Sequence, residues 1–220
     1  MQIKRIVALS AAALAGLWSV EARADVVTAS HVWPDDPSWW FNVGAGVAYD
    51  EPEVYDNRQC QTFTASATGQ LTTASFVATY YDVTNVDLRV VMYTMRNGQP
   101  DTPVASTLVH LDAFEHMDDF GEPNAFTHIV DFSVWDFTVE SGTTYGLVFQ
   151  TDSLDANYRL YGDYEGYAGG ELRHSQNGSP FEPRPGDLFF EVRVAIPGPG
   201  AAAAMAVAAL LGASARRRRR

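Results

Sequence analysis

Histidines and acidic residues offer this chain most of its possible chemistry, and their spacing decides what each group can do. The five histidines are His31, His110, His116, His128 and His174, and none belongs to an HExxH motif. The segment HLDAFEHMDD, which begins at His110, has the composition of either a metal loop or an exposed connection between strands. No third residue at ligand spacing supports a metal pair, so the pattern favours the exposed connection.

Carboxylates are abundant, since the chain has 27 acidic residues. Glycoside hydrolysis needs two of them about 5 to 9.5 Å apart across a cleft, one with a raised pKa. Calcium binds carboxylate and carbonyl oxygens, and residues 152 to 166, DSLDANYRLYGDYEG, have enough of them without the order of an EF-hand. No GxSxG motif occurs. We expect no catalytic site and no cofactor, with a structural calcium ion as the alternative.

Two groups of aromatic residues are candidates for binding a sugar. Trp33, Trp39 and Trp40 stand close together, and the segment NYRLYGDYEGY repeats tyrosine four times. Flat rings of this kind stack on sugar rings, while neighbouring acids accept hydrogen bonds from hydroxyl groups. The alternative is that the tyrosines pack between sheets and the tryptophans cover one end of the domain. The pattern favours packing for both groups, and the three tryptophans are the candidate glycan-binding residues.

A single cysteine, Cys60, excludes an internal disulfide, so an exported fold would depend on its core. The residue lies in NRQCQTF, a strand-like run without a catalytic pattern around it. We expect a small, half-buried hydrophobic residue.

Short runs of β-branched and aromatic residues, separated by turn signals about every dozen residues, predict an all-β domain over residues 57 to 195. The clearest run is VDLRVVMYTM, in which Leu88, Val90 and Met92 share one face. That face is expected to lie in the core.

Turn signals and further strand candidates complete this prediction. Asn-Gly pairs at 97–98 and 177–178 supply the positive φ angles of tight reversals. The other strand candidates are QTF, LTTASFVATYY, PVASTLVHL, FTHIVDFSV, TYGLVFQT, NYRLYGD and DLFFEVRV. Eight or nine short antiparallel strands in two facing sheets make a β-sandwich of jelly-roll type. Residues 25 to 56, rich in tryptophan and acids, are predicted to be irregular.

The first 24 residues predict a secretory signal peptide. A basic start precedes an almost wholly apolar run over 6 to 20, and Ala22-Arg23-Ala24 is a small-x-small site for signal peptidase. The apolar run is shorter than the about 20 residues of a membrane-spanning helix. We therefore expect cleavage before Asp25 and export by the general route, with a short retained anchor as the alternative.

Residues 196 to 220 divide into three parts. The parts are Pro197-Gly198-Pro199, an apolar run over 201 to 215, and the block Arg216, Arg217, Arg218, Arg219 and Arg220. The apolar run makes about 22 Å of helix, which is short for a bilayer core of about 30 Å. The arginines hold its end on the cytoplasmic side. We expect a transient membrane attachment that is removed by cleavage, with an uncleaved anchor as the alternative.

Two known families are similar to parts of this chain. ESGTTYGLVF and YAGGELRHSQNGSPF, within residues 57 to 195, resemble the exported bacterial jelly-roll domains called choice-of-anchor domains. The tail resembles the PEP-CTERM sorting signal, with Pro-Gly-Pro where that family usually has Pro-Glu-Pro. The resemblance implies a jelly-roll fold, delivery to the cell surface and cleavage near the proline motif by an exosortase-like enzyme. It implies no shared reaction.

Charge excludes one class of partner. Residues 25 to 195 contain 26 acidic residues and seven arginines, which gives a formal charge of −19. Such a surface repels nucleic acid and anionic lipid, because binding to phosphate depends on Lys and Arg. The acidity fits solubility in a salty exterior or, alternatively, calcium binding.

These features predict an exported, surface-sorted, non-catalytic β-sandwich protein of the cell surface or extracellular matrix. One alternative is a carbohydrate-binding module that holds a surface or matrix polysaccharide with surface aromatics. A remote alternative is a glycan-active enzyme. The expected partners are signal peptidase, an exosortase-like sorting enzyme and, transiently, the membrane that holds the C-terminal helix.

Overall fold

A computed structural model of the chain describes residues 23–32, 40–50, 53–80, 87–110, 126–151, 157–164 and 166–197. By its contacts the chain forms two compact units, Met1–Asp25 with Ala195–Arg220, and Val26–Val194. The described residues at the end of Met1–Asp25 are exposed. Val26–Val194 contains the main β-structure and its core.

Antiparallel β-strands and one short 3₁₀ turn make up the described chain. The strands are β1 (Arg23–His31), β2 (Trp40–Asp50), β3 (Glu53–Thr64), β4 (Gly69–Tyr80), β5 (Leu88–Arg96), β6 (Gln99–Val109), β7 (Phe126–Asp131), β8 (Thr138–Val139), β9 (Thr144–Thr151), β10 (Asn157–Asp163), β11 (Leu172–Gln176), β12 (Glu182–Arg184), β13 (Asp187–Leu188) and β14 (Phe190–Pro197). The 3₁₀ turn is Ser133–Trp135. The predicted all-β class is confirmed over these residues. Within them, no helix is long and apolar enough to cross a membrane.

The strands pair in two layers. In the first layer, β6, β5, β9 and β3 lie side by side, and β11 extends the ladder from β3 to β12. In the second, β4 pairs with β14, β7, β8 and β10, while β13 pairs with β10. β2 pairs with β3 and with β10, so it links the two layers through hydrogen bonds.

Aromatic rings pack between the layers. Phe76 on β4 meets Phe149 on β9 edge-on, with ring centroids 5.0 Å apart. Phe63 on β3 lies 6.0 Å from Phe190 on β14 by the same measure. All four side chains are buried, and burial of each contributes roughly 1.5 to 3 kcal/mol. The facing layers therefore form a β-sandwich with an aromatic core.

The strand predicted over VDLRVVMYTM is confirmed as β5. Leu88, Val90 and Met92 are fully buried, so the predicted core face is correct. β5 turns into β6 through Asn97 and Gly98, whose φ angles are 53° and 74°. The Asn-Gly pair therefore makes the tight reversal that its sequence indicates.

Two predicted strands end earlier than their sequence runs. FTHIVDFSV predicts one strand, but β7 ends at Asp131, whose Oδ1 accepts a hydrogen bond from Ser133 N at 2.8 Å. That local bond starts the 3₁₀ turn. DLFFEVRV divides into β13 and β14 at Phe189, whose backbone N donates to Tyr161 O at 2.9 Å. Both runs have strand propensity throughout, but the first ends in a 3₁₀ turn and the second changes its partner from β10 to β4.

The prediction of an irregular segment over residues 25 to 56 is wrong where the structure describes it. β1 and β2 occupy much of this segment, and β3 already begins at Glu53. β2 pairs with β10 over seven consecutive residues. In β1, Thr28 Oγ1 bonds to both the N and the O of Ala67, each at 3.1 Å. These partners are distant in sequence, so the composition of the segment could not reveal them.

Cys60 is fully buried, whereas the sequence predicts half-burial. Burial raises the pKa of its thiol to about 12, although the positive charge of Arg173 opposes the rise. The thiol therefore stays protonated at neutral pH, a state that is neither nucleophilic nor metal-binding. A Cβ at Gly146 would lie 2.8 Å from Cys60 Sγ, so this glycine makes room for the sulfur.

Candidate functional site

The predicted glycan-binding tryptophans are only partly described. Trp33 and Trp39 lie outside the described residues, and Trp40 is the first residue of β2. The register of β2 with β10 places Trp40 opposite Asp163, the last residue of β10. One predicted residue is therefore placed at the end of β10, where acidic side chains gather.

The predicted processing residues lie mostly outside the described residues. Those outside are Ala22, Gly198, Pro199, Arg216, Arg217, Arg218, Arg219 and Arg220. Ala24 and Asp25 are exposed in β1, so cleavage between them would remove two of the nine residues of that strand. Pro197 is the last residue of β14, which places the start of the proline motif at the end of the final strand.

β10 and β13 bring two acids together at one end of the second layer. Asp163 is the register partner of Asp187, the first residue of β13. A Cβ at Gly162 would clash with the carbonyl oxygen of Asp187, so glycine permits the close approach of β13. These two acids and three neighbours, His31, Gln61 and Tyr167, form a group that we call the Asp187 cluster.

Asp187 receives hydrogen bonds from two distant parts of the chain. Gln61 Nε2 on β3 donates to Asp187 Oδ1 at 2.6 Å, and Tyr167 N donates to Oδ2 at 2.7 Å. Gln61 Oε1 also accepts from Leu188 N at 2.7 Å. Burial, and to a smaller extent the charge of Asp163, raises the pKa of Asp187, while the hydrogen bonds from Gln61 and Tyr167 and the nearby His31 oppose the rise. The carboxyl group thus ties β13 to β3 and to the segment at Tyr167.

His31 joins the cluster from the end of β1. Its Nε2 lies 2.9 Å from Asp163 Oδ1, and its ring stacks on Phe189 with centroids 5.4 Å apart. Phe189 belongs to a buried cluster with Val77 and Tyr161. The position of the imidazole is therefore fixed by one polar and one aromatic contact.

The geometry of the cluster supports a structural role. Both oxygens of Asp187 accept N–H groups of this chain, and the residue is only 4% exposed. A general acid must instead reach its substrate. Among the described residues, no three His, Cys, Asp or Glu side chains gather so as to hold a metal ion. The calcium site over residues 152 to 166 stays a prediction, because 152–156 and 165 lie outside the described residues.

The four tyrosines of β10 and the following segment divide into two kinds. Tyr158 and Tyr161 are buried and Tyr167 is half-buried, so the packing prediction is confirmed for these three. Tyr164, directly after Asp163, is 64% exposed. The sequence did not single it out, because the spacing of the four residues gives no sign of where β10 ends.

A second buried polar contact holds the β5–β6 turn. Arg173 Nη1 donates to the Glu171 carboxylate, and Nη2 donates to Phe181 O at 3.0 Å. Gly98 lies against the guanidinium group, since a Cβ there would be 3.2 Å from Nη1. The Gln99 amide donates to Phe181 O at 2.8 Å and accepts from Phe181 N at 2.7 Å. The turn is thereby fixed to the β11–β12 hairpin.

The other described histidines have separate surroundings. His110 pairs with a surface aspartate at 2.9 Å. Burial lowers the pKa of His128, whose Nε2 lies 3.2 Å from Ala78 O, and burial also lowers the pKa of His174. His116 lies outside the described residues, so the exposed connection at HLDAFEHMDD stays a prediction.

Known proteins give no match to this arrangement. No protein family model and no curated protein matches the sequence. No solved structure matches the fold. What the chain does must therefore be inferred from its own residues.

Proposed function

We propose that the chain is an exported, non-catalytic β-sandwich protein of the cell surface or extracellular matrix. The observation that carries the proposal is that buried ionisable groups form hydrogen bonds within the chain. Asp187 and Arg173 each join separate strands or segments through two hydrogen bonds within the chain. A fold that must persist outside the cell without a disulfide is stabilised by such buried hydrogen bonds between distant segments.

The ends of the chain support its delivery to the surface. Residues 1 to 24 have the pattern of a signal peptide, and residues 196 to 220 combine a proline motif, an apolar run and five arginines. Signal peptidase and an exosortase-like enzyme would remove them in turn. The charge of −19 between them keeps the exported body soluble and away from anionic lipid.

The sandwich is, in this proposal, of jelly-roll type. The chain crosses from one layer to the other seven times, at the connections β3–β4, β4–β5, β6–β7, β8–β9, β9–β10, β10–β11 and β12–β13. The hairpins β5–β6 and β11–β12 stay within the first layer. Repeated crossings between two antiparallel sheets are typical of Greek-key and jelly-roll folds, which supports the assignment.

The only lysine of the chain, Lys4, provides a sharp test of export and cleavage. A mature protein that begins at Asp25 has a single primary amine, its own α-amino group. A membrane-impermeant amine reagent applied to intact cells should therefore label the tryptic peptide 25 to 58 at its N-terminus. Labelling only after cell lysis would contradict surface exposure, and a retained, labelled Lys4 would contradict cleavage.

Tyr164 favours a second candidate function, the binding of a neutral polysaccharide beside the Asp187 cluster. Its ring is exposed at the end of β10, so a sugar ring can stack on it. The β2 register brings Trp40 to the same place in the sheet. Anionic sugars are disfavoured by the strongly negative charge of the domain.

A panel of neutral and acidic polysaccharides, with and without calcium, tests this second function through tryptophan fluorescence. A neutral polysaccharide should change the fluorescence, Tyr164→Ala should abolish the change, and Tyr164→Phe, which keeps a ring, should retain most of it. Neither variant should lower the melting temperature much, because the side chain is exposed. Binding that survives Tyr164→Ala would contradict the site, and release of new reducing ends would instead indicate a glycan-active enzyme.

A further inference from the structure

The two Asn-Gly turns of the chain have nearly the same backbone but different surroundings. Asn97 and Gly98 have φ angles of 53° and 74°, and Asn177 and Gly178 have 52° and 73°. Both pairs lie at the tips of hairpins, between β5 and β6 and after β11. Any difference in their chemistry must therefore come from the contacts of the asparagine side chain or the glycine.

The side chain of Asn177 is tethered. Its Oδ1 accepts a hydrogen bond from Asp56 N at 2.8 Å, and its own backbone N donates to Asp56 O, also at 2.8 Å. Within the turn, Ser179 N donates to Gln176 O at 3.0 Å. The side-chain amide of Asn177 is thus tethered to β3.

The side chain of Asn97 is exposed. In the described part of the chain, its amide has no hydrogen-bond partner. Rotation of this side chain can bring Cγ to the backbone nitrogen of Gly98 without breaking a bond to the protein. Glycine has no Cβ that would hinder the approach of its backbone nitrogen to Cγ.

We infer that Asn97-Gly98 is the deamidation site of the folded protein and that Asn177-Gly178 is protected. The Gly98 backbone nitrogen attacks Asn97 Cγ, the Cγ–Nδ2 bond breaks, and the amide proton of Gly98 leaves with the departing ammonia. The product is a five-membered succinimide ring. Water then opens either of the two ring C–N bonds and leaves an aspartyl or an isoaspartyl residue at position 97.

Deamidation of Asn97 would alter the contact between the β5–β6 and β11–β12 hairpins. Gly98 lies against the Arg173 guanidinium group, and Gln99 makes two hydrogen bonds to the backbone of Phe181. An isoaspartyl link adds one carbon to the backbone just before these contacts. The added carbon displaces Gly98 and Gln99, so deamidation should loosen the β5–β6 turn from the β11–β12 hairpin.

The expected rate difference follows from the tether. Freeing the Asn177 amide costs about 1 kcal/mol, which corresponds to about fivefold in rate. The packing around the two glycines favours the opposite order of rates. A Cβ at Gly178 would meet nothing within 4 Å, whereas Gly98 is packed against Arg173. If glycine packing set the rate, Asn177 would react faster than Asn97.

Tandem mass spectrometry of the protein, incubated folded at pH 8 and sampled over weeks, decides between these outcomes. Asn97 should convert at least about fivefold faster than Asn177. In urea the two rates should agree to about twofold, since both sites are then plain Asn-Gly sequences. Equal folded rates, a faster Asn177, no conversion of Asn97, or a ratio unchanged by urea would overturn the inference. Asn97→Gln provides the control that removes the site.

Discussion

Replacement of Gln61 by methionine removes the buried amide that joins β3 to β13. Gln61 Nε2 donates to Asp187 Oδ1 at 2.6 Å and to Thr62 O at 3.1 Å, and Oε1 accepts from Leu188 N at 2.7 Å. Methionine has a similar length and flexibility but cannot make these bonds. The variant therefore leaves a buried carboxylate and a buried backbone N–H without this partner.

The expected loss of stability follows from two hydrogen bonds, the one from Gln61 Nε2 to Asp187 and the one from Leu188 N to Gln61 Oε1. A hydrogen bond to a charged group contributes about 1.5 to 3 kcal/mol, and one to a neutral group contributes about 0.5 to 1.5 kcal/mol. The better burial of the methionine side chain offsets part of their sum. We expect Gln61→Met to lower the free energy of unfolding by about 2 to 4 kcal/mol at pH 7.

The size of this loss should depend on pH. The Gln61 hydrogen bond lowers the pKa of Asp187, so its removal raises that pKa further and disfavours the ionised carboxylate. The penalty should therefore be largest near pH 7. It should shrink as the pH falls toward 3.8, the ordinary value for aspartate, because the carboxyl group then takes up its proton.

Urea unfolding of Gln61→Met and of a matched control measures the effect. The control is Gln70→Met, because the Gln70 amide also donates to an aspartate, Asp136 Oδ1, at 2.9 Å, but at the surface. The control should lose less than about 1 kcal/mol. Equal losses in the two variants would refute the view that the Asp187 cluster holds the layers together.

Three further outcomes are expected. Folded Cys60 should resist alkylation at pH 8 and react once urea unfolds the chain, because burial raises its pKa to about 12; rapid reaction of the folded protein would contradict its placement. With Cys60→Ala, Thr64→Cys and Thr144→Cys should form a disulfide, since they are register partners with hydroxyls 3.2 Å apart; failure to oxidise would contradict the β3–β9 register. Burial lowers the pKa of His128, so as the pH drops through about 6.5 this histidine is protonated in the unfolded chain before it is protonated in the folded one, and stability should fall. His128→Gln should flatten that decrease, as measured by urea unfolding. An unchanged slope would argue against the burial of His128.

Much of the fold could be predicted because it depends on residues that are close together in the sequence. Alternation marks Leu88, Val90 and Met92 as one face, and the Asn-Gly pair after them fixes a turn without help from the rest of the chain. β1 and β2 could not be predicted in this way. Their residues become strands through ladders to β14 and β10, which lie more than a hundred residues further along the chain.

The Asp187 cluster could not be predicted for the same reason. Gln61 and Asp187 are 126 residues apart, and each lies in a run that reads only as a strand. Their contact depends on the close approach of β13 to β10, which Gly162 permits. Glycine in a strand is a general sign of close approach, but it does not identify the partner.

The measurement that tests export and sorting most directly is the intact mass of the protein isolated from its native cells. The proposal predicts a chain that begins at Asp25 and ends near Pro197-Gly198-Pro199, without the arginines of positions 216 to 220. A mature protein that retains those arginines, or that still begins at Met1, would contradict it.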